Sequence, residues 1–168
     1  MKKTDADETL NELLVTLFKD LTEIEGKCLI TDEYRDLTMN DMHVIEAIGV
    51  ESKKRMSTVS HLMGVTTGTL TKAMDGLVKK GYVTREKDEE DKRAIRVSLT
   101  DKGTAAYYHH EQFHTHMIEH IKSELEGEEL EILVQALAKL VDYFEHSYND
   151  EDGEPVYASW SSIREDNN

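Results

Sequence analysis

Turn signals between residues 57 and 99 leave room for two short helices and a hairpin, and for little else. Residues 57–63 have helical character, Gly64 and Val65 interrupt it, and residues 66–80 resume a helical pattern that Gly81 stops. Residues 82–86 and 94–99 alternate apolar and polar side chains around the charged run from Asp88 to Arg93, which predicts a β-hairpin. Two helices joined by a tight turn and followed by a hairpin make a winged helix-turn-helix. In that unit the second helix enters the DNA major groove, and it needs short polar side chains near its start. Thr66, Thr67, Thr69 and Thr71 supply them.

The net charge of −15 opposes contact with nucleic acid unless it is unevenly distributed. Residues 51–100 hold 11 basic and 7 acidic side chains, a balance of +4, and the rest of the chain carries −19. Neutralised phosphates release condensed counterions, so a local positive face is what matters. The acidic remainder predicts weak non-specific binding and a steep dependence on salt. Threonine hydroxyls and methyls can meet base edges and phosphates, and Lys72 can reach a phosphate. Gly68 would let the backbone approach DNA closely. Lys92 and Arg93 sit at the hairpin tip, where an arginine can enter the minor groove. A plainer reading makes the threonines a solvated cap and pairs Arg93 with Asp91 or Asp88 to shape the turn.

Leu10, Leu13, Leu14, Leu17, Leu21 and Ile24 recur at helical spacing and predict a helix over residues 6–27. Thr38, with Asp41 three residues on, starts a second helix that buries Met42, Ile45 and Ile48 and ends near Gly49. Thr100 caps a long helix to about Leu125 with the stripe Phe113, Met117, Ile121 and Leu125. After Gly127, Leu130, Leu133, Leu137, Leu140, Val141 and Phe144 follow coiled-coil spacing. The terminal helices offer more apolar surface than a small core can cover, which predicts burial against a second copy and a two-fold reading of a pseudo-palindromic site.

The expected fold is mainly α. It has a winged helix-turn-helix domain with a β-hairpin wing over 36–99, long terminal helices forming a dimerisation region over 1–35 and 100–148, and an acidic, disordered tail over 149–168. No apolar run is long enough to cross a bilayer, so no membrane partner is expected. The chain start lacks a signal-peptide core and Cys28 has no intrachain partner, which points to the cytoplasm. Lys27 beside Cys28 is offset by Glu25 and Asp32, so a buried, inert thiol is expected. No nucleophile–base arrangement or phosphate loop stands out, and no enzyme activity is expected.

The segment Leu77-Val78-Lys79-Lys80-Gly81-Tyr82-Val83, the wing run from Asp88 to Arg93 and Leu99-Thr100-Asp101-Lys102-Gly103 together resemble the MarR family of winged-helix transcription regulators. The stretches 37–49 and 65–71 and the pair Phe113-His114 look like its FabT-like branch, repressors of fatty-acid synthesis genes in Gram-positive bacteria. The resemblance implies a homodimer on a palindromic double-stranded DNA operator, with acylated acyl carrier protein as corepressor. Lys53, Lys54 and Arg55 would be its docking residues. Where the family's wing carries a basic residue between its aspartates, this chain has Glu89 and Glu90, which leaves wing contacts to Lys92 and Arg93.

His110 and His114 lie one helical turn apart on one face, a spacing that suits two imidazole ligands. Zinc sensors of the MarR type use a first-helix glutamate, a second-helix histidine and two histidines of the long helix, and here Glu25, His43, His110 and His114 fall at similar positions. This is the rival reading: a zinc-responsive regulator of metal uptake. FabT-like chains also carry histidines at 43, 110 and 114, however. Under that reading no cofactor is needed, and Met42, His43, His110, Phe113, His114 and Met117 line a ligand pocket beside the dimer helices. A third reading is a protein-interaction module whose winged helix does not bind DNA.

Overall fold

The computed structural model describes residues 5–51, 53–89 and 91–148, with side chains as far as Tyr143. Residues up to Met117 form one compact unit and those from Ile118 a second. The chain order among the described residues is α1 (Asp5–Leu29), α2 (Met39–Ile48), β1 (Lys54–Arg55), α3 (Met56–Leu62), α4 (Thr67–Lys79), β2 (Val83–Lys87), β3 (Ile95–Leu99), α5 (Asp101–Glu124) and α6 (Gly127–Tyr148). This is the winged helix-turn-helix that the turn signals predict. The expected tail at 149–168 lies outside the described residues.

Helix α2 begins with a full capping box: the Asp41 amide donates to Thr38 Oγ1 at 3.1 Å and the Thr38 amide to Asp41 Oδ2 at 3.0 Å. Asp41 also accepts from Lys80 Nζ at 2.8 Å, so the same carboxylate ties the start of α2 to the end of α4. Met42, Val44, Ile45 and Ile48 of α2 are buried with Val59 of α3 and Leu70, Met74 and Leu77 of α4. A positive φ at Gly64 makes the turn between α3 and α4, as the sequence predicts. At the far end of α4 the Gly81 amide donates to the Val78 carbonyl and the Tyr82 amide to the Leu77 carbonyl, a Schellman closure around Gly81 at φ 81°.

The sheet is antiparallel in the order β1-β3-β2, with Val83 opposite Leu99, Arg85 opposite Val97 and Arg55 opposite Arg96. Strand β1 was not foreseen, because two residues carry no periodicity and only pairing with β3 makes them a strand. Strands β2 and β3 match the expected wing, with Tyr82 packed into the core just before β2.

Thr100 caps α5 by accepting from the Gly103 amide at 3.1 Å, and its hydroxyl lies 2.7 Å from the Gly81 carbonyl. Helix α1 leaves Leu10, Leu13, Val15, Leu17, Phe18 and Ile24 exposed. Helix α6, taken by itself, leaves Ile132, Val134, Leu137, Leu140 and Val141 exposed. Cys28 is exposed rather than buried. Leu29 takes the inward position, and a step of one residue turns a helix by about 100°. No helix among the described residues is long and apolar enough to cross a membrane.

The start of α5 passes so close to the end of α4 that a Cβ on Gly103 would lie 2.1 Å from the Tyr82 carbonyl oxygen. Gly103→Ala is therefore expected to destabilise the fold by about 3 kcal/mol in urea unfolding. Gly76, inside α4 with nothing within 4 Å of its Cβ position, offers the contrast. Gly76→Ala should stabilise by about 0.5–1 kcal/mol, as alanine does in a helix interior.

Candidate nucleic-acid interface

Thr66, Thr67, Gly68, Thr69 and Lys72 are exposed on the first turns of α4, while Thr71 is half-buried. Each threonine hydroxyl already has a local partner. Thr66 Oγ1 accepts from the Thr69 amide at 3.1 Å and shares a hydrogen bond with the Thr69 hydroxyl at 3.0 Å. Thr67 meets Ser60 at 3.2 Å, and the Thr71 hydroxyl donates to the Thr67 carbonyl at 2.7 Å. These hydroxyls therefore cap and brace the helix, and what remains for a ligand is their methyls and spare acceptor capacity. At Gly68 a Cβ would stand 3.7 Å from Thr66 Oγ1, an ordinary contact. The folded chain itself thus has room for a larger residue at 68.

Arg85 binds the wing to this helix. Its guanidinium donates to Asp75 and, at 3.2 Å, to the Thr71 carbonyl. The base of the wing is organised by Asp88, whose side chain is 1% exposed. Asp88 Oδ2 accepts from Arg55 Nε at 3.1 Å and Arg96 Nε at 2.7 Å, and Oδ1 accepts from the Asp91 amide at 3.2 Å. The turn closes with the Ala94 amide on the Asp91 carbonyl and the Arg93 amide on Asp91 Oδ1 at 3.0 Å. The plainer reading of Arg93 is thereby corrected: Asp88 holds Arg55 and Arg96, while Asp91 engages the Arg93 backbone. Lys92 and Arg93 are exposed, and none of the ion pairs among the described residues involves them or Lys72. A groove of about 220 Å³ separates α4 from the wing tip and is lined in part by Thr67, Thr71, Arg93, Ser57 and Arg55. Sequence reasoning missed Arg55 and Asp88 here, since they are 33 residues apart and no spacing rule joins them.

The basic trio expected to dock a carrier protein is engaged internally. Lys53 pairs with Glu86 at 2.6 Å, Lys54 Nζ donates to the Ala47 carbonyl at 3.1 Å, and Arg55 is held by Asp88.

A second cluster lies where α1, α2 and α5 meet. Glu25 Oε1 lies 3.4 Å from His43 Nε2 and 3.3 Å from His110 Nε2, and the latter is 3.0 Å from His114 Nε2. Glu46 Oε2 approaches His110 Nδ1 at 3.7 Å. His110 is buried at 2% exposure. Potential ligand atoms of Glu25, His43 and His110, and of Glu46, His110 and His114, lie within 4.8 Å of one another, and such nitrogen and carboxylate donors suit zinc. Burial pushes the His110 imidazole below its ordinary value of 6.5, against the pull of Glu46 and Glu25 and with His114 adding to the fall. Of the expected pocket residues, Met42 has no exposed surface and belongs to the core. Phe113 packs half-buried on that core with its ring edge-on to His114 at 5.3 Å, and Met117 is half-buried.

Residues 27–108 match the family model described as transcriptional regulator SarA/Rot. The HTH-type transcriptional regulator SarZ of Staphylococcus saprophyticus is 38% identical over 100 residues, covering 59% of this chain and 68% of that protein. Streptococcus pneumoniae FabT, solved in complex with DNA, superposes with a TM-score of 0.79 at 32% identity, covering 82% of this chain and 96% of that one. A MarR protein of Peptoclostridium difficile superposes with a TM-score of 0.68 at 23% identity, over 88% of this chain and 95% of that one, which shows the fold alone.

The buried His110 generates a pH prediction. Its folded pKa lies below 6.5, so between the folded value and 6.5 the unfolded chain binds a proton that the folded chain resists. The stability it contributes is complete above about pH 6.5 and is lost as pH falls through that value toward the folded pKa. Urea unfolding in chelator at pH 7.5 and 5.5 should show wild type losing more stability than His110→Gln; equal losses would contradict this placement of the imidazole.

Proposed function

Because the chain belongs to the MarR and SarA type of winged-helix transcriptional regulators, we propose that it is a homodimeric, sequence-specific DNA-binding repressor in the cytoplasm, without catalytic activity of its own. The observation that carries the reading is the exposed set Lys72, Lys92 and Arg93, which enters no ion pair among the described residues and is set out around the start of α4 and the wing tip. In this proposal Thr66, Thr67, Gly68, Thr69, Thr71 and Lys72 meet the major groove, and Lys92 and Arg93 the adjacent minor groove. The exposed apolar faces of α1 and α6 support dimerisation through the regions 1–35 and 100–148, with 36–99 as the DNA-binding domain.

For the signal, we propose control of fatty-acid synthesis genes with acylated acyl carrier protein as corepressor. The likeness to FabT at 32% identity over nearly all of that chain supports it. The likeness to SarZ supports the regulator class and says nothing of fatty acids. Two groups that share His110, Glu25 with His43 and Glu46 with His114, favour a second reading, zinc as the signal. Either ligand would act through the same elements. These residues come from three helices, so occupancy would bias their spacing and with it the operator affinity of a dimer.

Selection of duplexes from a random pool by the wild-type protein, followed by anisotropy titrations, tests these readings. A palindromic duplex should be enriched, and Thr69→Ala and Arg93→Ala should each weaken binding roughly tenfold. Enrichment of no sequence would leave the interaction-module reading standing. Addition of palmitoylated carrier protein, unacylated carrier or zinc chloride then separates the signals. A change in affinity with the acylated carrier alone supports the fatty-acid reading, and a change with zinc alone replaces it.

A further inference from the structure

Arg55 and Arg96 face each other across the β1–β3 register and donate their Nε atoms to one oxygen, Asp88 Oδ2. A single carboxylate between two guanidinium groups leaves positive charge in surplus, and the two arginines direct it to different places. Arg96 also donates to the Lys53 carbonyl at 3.3 Å and lines a depression that it shares with Glu86 and Glu89. Arg55, its side chain 43% exposed, lines the groove of about 220 Å³ between α4 and the wing. The other polar side chains lining that groove are Ser57, Thr67, Thr71 and Arg93, and no acidic residue is among its lining.

A helix seated in the major groove and a wing in the neighbouring minor groove have one sugar–phosphate strand between them, so what lies between helix and wing faces phosphate. With Nε held by Asp88, Arg55 keeps its terminal nitrogens for an anion and has little freedom to lose on binding. We propose that Arg55 is a phosphate-contacting residue of the DNA interface, seated between recognition helix and wing, and that Asp88 is its positioning residue. The inference rests on the DNA-binding reading and deepens it. It also moves Arg55 from a carrier-docking residue to the DNA surface.

The test is a salt titration by anisotropy on the duplex that the wild-type protein selects, with Arg55→Ala, Arg55→Gln, Arg55→Lys and Arg96→Ala. Loss of one phosphate contact lowers the slope of log affinity against log salt by about 0.9. Arg55→Ala and Arg55→Gln should both show that loss and bind roughly tenfold more weakly at low salt. Arg55→Lys, which keeps the charge, should hold the wild-type slope. Arg96→Ala should hold it too, even where its melting temperature falls, because Arg96 serves the wing base and not the groove. An unchanged slope in both neutral Arg55 variants, or an equal loss of slope in Arg96→Ala, would overturn the proposal. Failure of the wild type to select any duplex would sink the DNA-binding reading and this inference with it, an outcome distinct from a wild type that binds while the Arg55 variants match it.

Discussion

Tyr82 is fully buried, and three parts of the first unit close around it. Its amide completes the end of α4 on the Leu77 carbonyl, and its own carbonyl accepts from the Thr100 amide and lies against Gly103 at the start of α5. Its phenol donates to Asp36, ahead of α2, at 2.8 Å, and the Lys102 ammonium stands 3.9 Å above its ring. A buried tyrosine contributes both a large apolar area and a polar tip that must find a partner, so it holds its neighbours in one arrangement. The recognition helix ends and the wing begins at this residue. Further along the wing, Arg85 joins β2 to α4 through Asp75 and the Thr71 carbonyl.

Four of the seven acids in the basic segment 51–100 are engaged within that segment. Asp88 is spent on Arg55 and Arg96, Asp75 on Arg85, Glu86 on Lys53, and Asp91 on the backbone of the wing turn. Lys72, Lys92 and Arg93 are exposed and enter none of the ion pairs among the described residues. Exposed ion pairs contribute little to stability, so their role here is one of orientation.

The histidine cluster follows a different logic. Glu25, His43, His110 and His114 come from α1, α2 and α5, and His110 sits in the middle with scarcely any exposure. Burial favours the neutral ring while two carboxylates pull the other way.

Much of this was legible in the chain itself, because it depends on neighbours in sequence. The Thr38–Asp41 capping box, the Gly64 turn, the Gly81 stop, the Thr100 cap and the two long wing strands each follow from residues within a few positions of one another. The spacing of His110 and His114 placed them on one face for the same reason. What only the tertiary structure decided depends on partners far apart. Strand β1 exists by pairing with β3. Asp88 took Arg55 and Arg96 instead of Arg93, and Cys28 turned outward once Leu29 had claimed the core. Helix caps and turns are closed by local hydrogen bonds that a short window of sequence specifies. Burial and the choice of ion-pair partner are settled by competition among residues that meet only when the chain has folded.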